Sequence, residues 1–270
     1  MSTLIMGIVN ATPDSFSDGG AFADHAEAVA HGRRLRAEGA AILDVGGEST
    51  RPGAERVPAA IERERVLPVI AALAADGATV SVDTMNAATA IAAVDAGATI
   101  VNDVSGGLAD PGMLAAVAGT SAELIVGHWR GPSADMYARA EYVQIGREVA
   151  GELLDRVEAA QAAGIPPSRI IVDPGIGFAK TAEQNWRLLE SLGDIVSLGH
   201  RVLLGTSRKR FLADALGAEA SLERRDLATA VTSVLAEAAG AWAVRVHDVA
   251  STRDALRVAG AWKSGGRGLS

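Results

Sequence analysis

The chain has 270 residues, with 25 Lys and Arg against 33 Asp and Glu, a formal charge of −8 at pH 7. That balance excludes a nucleic-acid binder, whose basic footprint would dominate, and 49% hydrophobic with 21% charged residues excludes a disordered chain. With no Cys there is no disulfide, no thiolate nucleophile and no Cys-ligated metal.

Short β-branched runs lie at 4–9, 42–45, 79–82, 99–101, 123–126, 169–172, 201–204 and 243–246. Between them fall Ala-rich segments with helical apolar spacing, such as 26–38, 61–75, 151–163 and 227–239, several followed by Gly or Asp-Gly, where a helix stops. Strand then helix, repeated, predicts an α/β fold, a (β/α)₈ TIM barrel, with a doubly wound sheet as the competing architecture. Asn10, Asp44, Asp83, Asn102, Asp103, His128, Asp173, Ser207 and His247 fall at or just past the predicted strand ends. In a barrel those ends converge on one mouth, so polar residues there describe a ring and favour the barrel. No repeat or linker divides the chain, so residues 1–270 are expected to form one domain, with 263–270 as a flexible tail. No apolar run reaches the roughly 18 residues of a membrane span, and residues 1–6 lack a basic n-region, so a soluble, cytoplasmic protein is expected.

Residues 6–20 (Met-Gly-Ile-Val-Asn-Ala-Thr-Pro-Asp-Ser-Phe-Ser-Asp-Gly-Gly) and 44–53 (Asp-Val-Gly-Gly-Glu-Ser-Thr-Arg-Pro-Gly) resemble the first two loops of dihydropteroate synthases. Segments 81–84 (Ser-Val-Asp-Thr), 101–107 (Val-Asn-Asp-Val-Ser-Gly-Gly), 173–181 (Asp-Pro-Gly-Ile-Gly-Phe-Ala-Lys-Thr), 205–209 (Gly-Thr-Ser-Arg-Lys) and 245–248 (Arg-Val-His-Asp) agree in the same order. The resemblance implies a transferase that joins 6-hydroxymethyl-7,8-dihydropterin pyrophosphate to p-aminobenzoate, giving 7,8-dihydropteroate and pyrophosphate for folate synthesis. It further implies pterin binding by Asp83, Asn102, Asp173 and Lys209, and pyrophosphate binding by Asn10, Arg245 and His247, with Asn10 a ligand of Mg²⁺. These two sets make Asn10, Lys209, Arg245 and His247 the expected catalytic residues. For p-aminobenzoate it implies Thr50, Arg51, Pro52, Phe178 and Arg210. A homodimer through the outer helices is also implied, as is sulfonamide sensitivity, since residues 49–53 keep the family's pattern.

The residues bear this out chemically. Two carboxylates and an amide at strand ends are forked acceptors for a donor-rich, guanidine-like ligand edge, although any one Asp there could instead cap the following helix. Arg245 and His247 are two apart and share one face of the last strand, near the usual phosphate site of barrels. Mg²⁺ keeps waters and takes few protein ligands, so no carboxylate cage is required. His25, His31 and His200 read as structural. The Lys-Thr at 180–181 is not a P-loop, because Ala179 and Pro174 stand where Gly is required. The loops at 10–20 and 46–53 have the composition of lids that exclude water. Two positions depart from the family pattern: Arg210 replaces a common Ser, and Gly127 a usual Met, a change expected to remove an apolar wall. The competing functions are a pterin-dependent methyltransferase, which would lack the Ser207-Arg208-Lys209 and Arg245-Val246-His247 sets, and a non-catalytic pterin-binding paralogue.

Overall fold

The computed structural model describes residues 3–11, 21–48, 57–131, 140–217 and 219–266, with the side chains of 21–24 outside that description. Strands β1 (Leu4–Asn10), β2 (Ile42–Gly46), β3 (Val80–Asp83), β4 (Ile100–Asp103), β5 (Glu123–Gly127), β6 (Ile170–Asp173), β7 (Arg201–Leu204) and β8 (Ala243–Val246) follow one another round a closed barrel. All pair in parallel, and β8 returns to β1 through Leu4 opposite Ala243 and Met6 opposite Arg245, so the doubly wound sheet is excluded. Around the barrel run α1 (Ala21–Glu38), α2 (Ala59–Ala75), α3 (Ala87–Asp95), α4 (Met113–Ala118), α5 (Ile145–Ala162), α6 (Ala182–Glu190), α7 (Leu192–Val196), α8 (Arg210–Leu216), α9 (Leu222–Ala239) and α10 (Val249–Ser264).

The strands are apolar on both faces, as a parallel sheet covered by helices requires. Outward-facing Val45, Val82, Val101, Val126 and Val172 pack against the helical layer, while Met6, Ile42, Ile100, Ile125, Ile171 and Leu203 fill the barrel. Burying each such side chain contributes about 1.5–3 kcal/mol. At the closed lower end, Arg201 holds Glu123 at 2.8 Å and lies over the Trp242 ring, tying β5 to β7.

Several strands run one or two residues past the ends that side-chain type suggests. Asp83, Asn102, Asp103 and Asp173 are strand residues, with Asp83 paired to Asn102 and Gly127 to Asp173. The ladder is built by backbone groups, so a polar side chain does not end it. Residues 263 and 264, expected at the start of a tail, are helical. Helix α10 continues through Lys263 and Ser264, ends on a left-handed Gly265, and Lys263 pairs with Glu237 at 3.0 Å; residues 267–270 lie outside the described residues. Among the described residues no helix is long and apolar enough to cross a membrane.

Candidate active site

Inward-facing positions recur at every second residue of a strand. One step above the apolar filling of Ile42, Ile100, Ile171 and Ala243 the barrel is therefore lined by Asp44, Asn102, Asp173 and Arg245, with Asp83 beside them on β3. Arg245 organises this layer: its Nε donates to Asp44 Oδ2 at 2.6 Å and its Nη2 to Asp83 Oδ2 at 2.7 Å. Asn102 Nδ2 donates to the same Asp44 oxygen at 3.1 Å, which leaves the Asn102 carbonyl oxygen as an acceptor toward the mouth. Asp173 Oδ1 accepts from the Gly175 amide at 2.7 Å. Above them, Lys209 donates to the Ile176 carbonyl and stands 4.9 Å from the centre of the Phe178 ring.

Electrostatics join these groups into one cluster. Burial pushes Asp83 up to about 7, with Arg245 opposing and Asp44, Glu62 and Asp103 adding to the rise. Burial also raises Asp173, against the pull of Lys209 and the Gly175 amide. Lys209 is pushed down to about 8 by burial, with Asp173 opposing. For Arg245 burial works against the charge, but Asp44 and Asp83 more than offset it, so the guanidinium stays protonated. A donor-rich ligand edge needs the ionised carboxylates. Its affinity is therefore expected to fall as pH drops below about 7, approaching tenfold per pH unit as one proton competes for Asp83. Calorimetric titration from pH 5.5 to 8.5 with the pterin expected from the resemblance checks this, and a profile that stays as steep in Asp83→Asn would refute the assignment.

Asn10 ends β1 on the face of inward Met6, and His247 follows β8 two residues after Arg245. They line an open cavity of about 470 Å³ whose wall also includes His31 and Arg34 of α1 and Arg208. Ser207 Oγ accepts from the His247 amide at 3.1 Å and lies 2.9 Å from His247 Nδ1. Ser207 has one hydrogen and two lone pairs and so fixes the ring in either tautomer; in the tautomer where the hydroxyl donates to Nδ1, the ring proton is on Nε2 and makes that atom a donor. Arg208 is held bidentate by Asp226, at 2.7 and 2.8 Å. Of the anion set expected from the sequence, Asn10 and His247 share this cavity, and Arg245 is engaged by Asp44 and Asp83.

Other expectations sort by position. Phe178 sits beside Lys209. Arg210 opens α8 and is exposed next to Lys209. Thr50, Arg51 and Pro52 lie outside the described residues. At Gly127 the main chain of Val104 fills the space that a Cβ would need, so this backbone leaves no room for a side chain there. Asp103 serves its own turn, its carboxylate accepting from the Ser105 and Gly107 amides at 2.8 and 2.7 Å, and it does not cap the following helix, whose N-cap is Gly112. His128 turns away from the mouth toward Glu152 and Lys180. His31, read as structural, is on the cavity wall. Asp44 stood in the strand-end ring without a role; its signal was its place in that ring.

Residues 6–247 match the pterin binding enzyme family. The chain is 51% identical over 267 residues to the dihydropteroate synthase of Mycobacterium leprae, covering 97% of this chain and 94% of that one. The chain belongs to the dihydropteroate synthase family. Among solved members, the Xanthomonas albilineans synthase in complex with 7,8-dihydropteroate is similar with a TM-score of 0.86 and 41% identity, over 98% of this chain and 94% of that one. The Yersinia pestis synthase with a sulfonamide drug gives a TM-score of 0.90 and 36% identity, over 97% and 95% of the two chains. These dihydropteroate synthases share the barrel over nearly its whole length, so the polar layer described above sits on the family's own scaffold.

Proposed function

We propose that this chain is a dihydropteroate synthase, condensing 6-hydroxymethyl-7,8-dihydropterin pyrophosphate with p-aminobenzoate to 7,8-dihydropteroate and pyrophosphate. The observation that carries the reading is the layer of Asp83, Asn102 and Asp173 with Lys209 above it, opening beside an anion corner of Asn10 and a Ser207-oriented His247. The carboxylates and the Asn102 amide accept the pterin's N–H groups, and Lys209 donates to its carbonyl side. Displacing Asp44 or Asp83 from Arg245 frees guanidinium donors for the leaving group. The methylene C–O bond breaks toward pyrophosphate, whose growing charge Asn10 and His247 meet with preorganised N–H donors. The pterin-stabilised cation then takes the lone pair of the aniline nitrogen, which loses one proton to solvent.

Among the described residues no group of three or more His, Asp or Glu side chains could hold a metal by itself. A hard amide oxygen at Asn10, in a cavity open to a pyrophosphate, fits Mg²⁺ that arrives largely coordinated by phosphate oxygens and water. Such an ion would neutralise charge on the leaving group. Pyrophosphate release by purified protein tests the function. It is expected to require p-aminobenzoate for dihydropteroate formation, to fall with a chelator, and to be inhibited competitively by a sulfonamide. Binding of the pterin substrate without turnover would instead make the chain a non-catalytic paralogue.

We also propose a homodimer and a cytoplasmic site of action. The diphosphate substrate is a multiply charged anion that does not cross a bilayer, so the enzyme belongs where that ester is made. Helix α9 exposes Leu227, Val231 and Leu235 at successive turns, and the adjacent α10 exposes Val258 and an 88% exposed Trp262. A two-helix apolar face of this kind is suited to a second copy meeting it about a two-fold axis. Val231→Glu with Leu235→Glu is expected to convert the dimer to a monomer in sedimentation velocity; an unchanged sedimentation coefficient would place the interface elsewhere.

A further inference from the structure

We propose that Lys180 is a positioning residue for pterin binding: from behind the connection between β6 and α6 it fixes the carbonyls flanking Ile176, so that the Ile176 carbonyl holds the Lys209 ammonium at the mouth. This rests on the synthase reading above.

Lys180 is 1% exposed, and the side chain takes no part in the mouth itself. Its Nζ lies 3.0 Å from each of the Gly175 and Phe178 carbonyls and 2.9 Å from His128 Nδ1; burial pushes Lys180 down to about 7, with Asp173 opposing, and in the protonated form these three acceptors use all three hydrogens. The Ile176 carbonyl, between the two peptide acceptors in sequence, accepts from Lys209. One short strap of backbone is thus held between two ammonium groups, Lys180 behind and Lys209 in front. The strap needs holding. Ala179 adopts a φ of 49°, a left-handed conformation that is unfavourable for a residue with a Cβ. Gly177 lets the Lys209 stem lie on the backbone, since a Cβ there would come within 2.9 Å of Lys209 Cδ.

The support behind Lys180 is also built. His128 Nδ1 can accept only if the ring carries its hydrogen on Nε2, and Nε2 lies 3.0 Å from Glu152 Oε2. Burial pushes His128 down to about 4, with Lys180 adding to the fall and Glu152 opposing, which keeps the ring neutral as that acceptor role requires. Arg130 grips both Glu152 oxygens and stacks 3.8 Å from the centre of the Tyr142 ring, anchoring the chain to α5. Neither Lys180 nor Glu152 is needed for the reaction's bond changes, so their geometry is otherwise unexplained.

The test compares the wild type, Lys180→Met, Lys209→Met and the double variant in steady-state kinetics, with the folded fraction of each measured by circular dichroism. Losing charged hydrogen bonds to the strap is expected to raise the KM for the pterin pyrophosphate by about tenfold or more, with a smaller change in kcat. In the Lys209→Met background the same replacement is expected to change KM by less than about threefold, since the group being positioned is gone. Lys180→Arg, which keeps the charge and donors, is expected to recover part of the loss. Equal effects in both backgrounds, or a loss that only follows the folded fraction, would show plain structural support and overturn the proposal. Should Lys180→Met not fold, His128→Gln replaces it: a KM rise of about threefold that vanishes without Lys209 supports positioning, and wild-type KM overturns it. If the wild type itself releases no pyrophosphate, the synthase reading fails separately. The same variants are then compared by calorimetric binding of the pterin pyrophosphate, with the same coupling to Lys209 expected.

Discussion

Arg245→Met is expected to destabilise the protein by about 3–5 kcal/mol and to remove measurable turnover, because truncating one partner of a buried ion pair strands the other. Here two carboxylates would be stranded. Asp44 is completely buried and Asp83 is 8% exposed, and both lie within 2.7 Å of the guanidinium, whose own side chain is 20% exposed. The pH dependence has a definite sign. Asp83 in the folded protein titrates near 7, above its ordinary value of 3.8, and loses its opposing cation in the variant. Between those values the native state binds the extra proton, so its stability falls as pH rises through the window. The deficit of Arg245→Met should accordingly be larger at pH 8 than at pH 5.5. Urea unfolding followed by circular dichroism measures it, and an unchanged midpoint at pH 8 would mean that the pair contributes nothing. Arg245→Lys keeps the charge but not the fork that reaches two strands, and should recover only part of the loss.

His247→Ala acts on the barrier instead. Removing one preorganised donor to developing charge costs roughly 2.7–4 kcal/mol, or about 10²–10³ in kcat. The His247 ring is held by Ser207 at the cavity that Asn10 shares, and it is not among the residues proposed to hold the pterin. The KM for the pterin pyrophosphate should therefore stay within about threefold of wild type, the pattern of an interaction made mainly in the transition state. Ser207→Ala should give a weaker version of the same split, since it releases the ring without removing it. Wild-type kcat in His247→Ala would assign the leaving group to other donors.

Much of this site was legible in the chain because a barrel turns sequence position into spatial position. Any residue at the C-terminal end of any strand reaches the same mouth, which is why Asp83, Asn102 and Asp173, far apart in sequence, were recognisable together. Side-chain type could not say which strand-end carboxylate faces a ligand. Asp83 and Asp103 each close a valine-containing run, yet Asp103 serves its own loop through the Ser105 and Gly107 amides, whereas Asp83 meets Arg245. Register decides this, since Asp83 points into the barrel and its neighbour in type points out. Gly127 teaches the same lesson in reverse. A missing side chain looked like a missing wall, but the main chain of Val104 stands in its place. Lys180 carried a misleading signal, a Lys-Thr pair after glycines, and its actual partners are backbone carbonyls that have no signature in sequence.

By itself, then, the sequence determined a covered parallel sheet and the family: valine-rich runs alternating with Ala-rich helices require the first, the ordered motifs identify the second, and closure of β8 on β1 made the sheet a barrel. Only the tertiary structure decided the pairing of Arg245 with Asp44 and Asp83, the orientation of His247 by Ser207, and the strap held between Lys180 and Lys209. Those contacts join residues up to 201 positions apart. They depend on barrel register and on backbone carbonyl directions, which closure sets and which no local pattern of residues encodes.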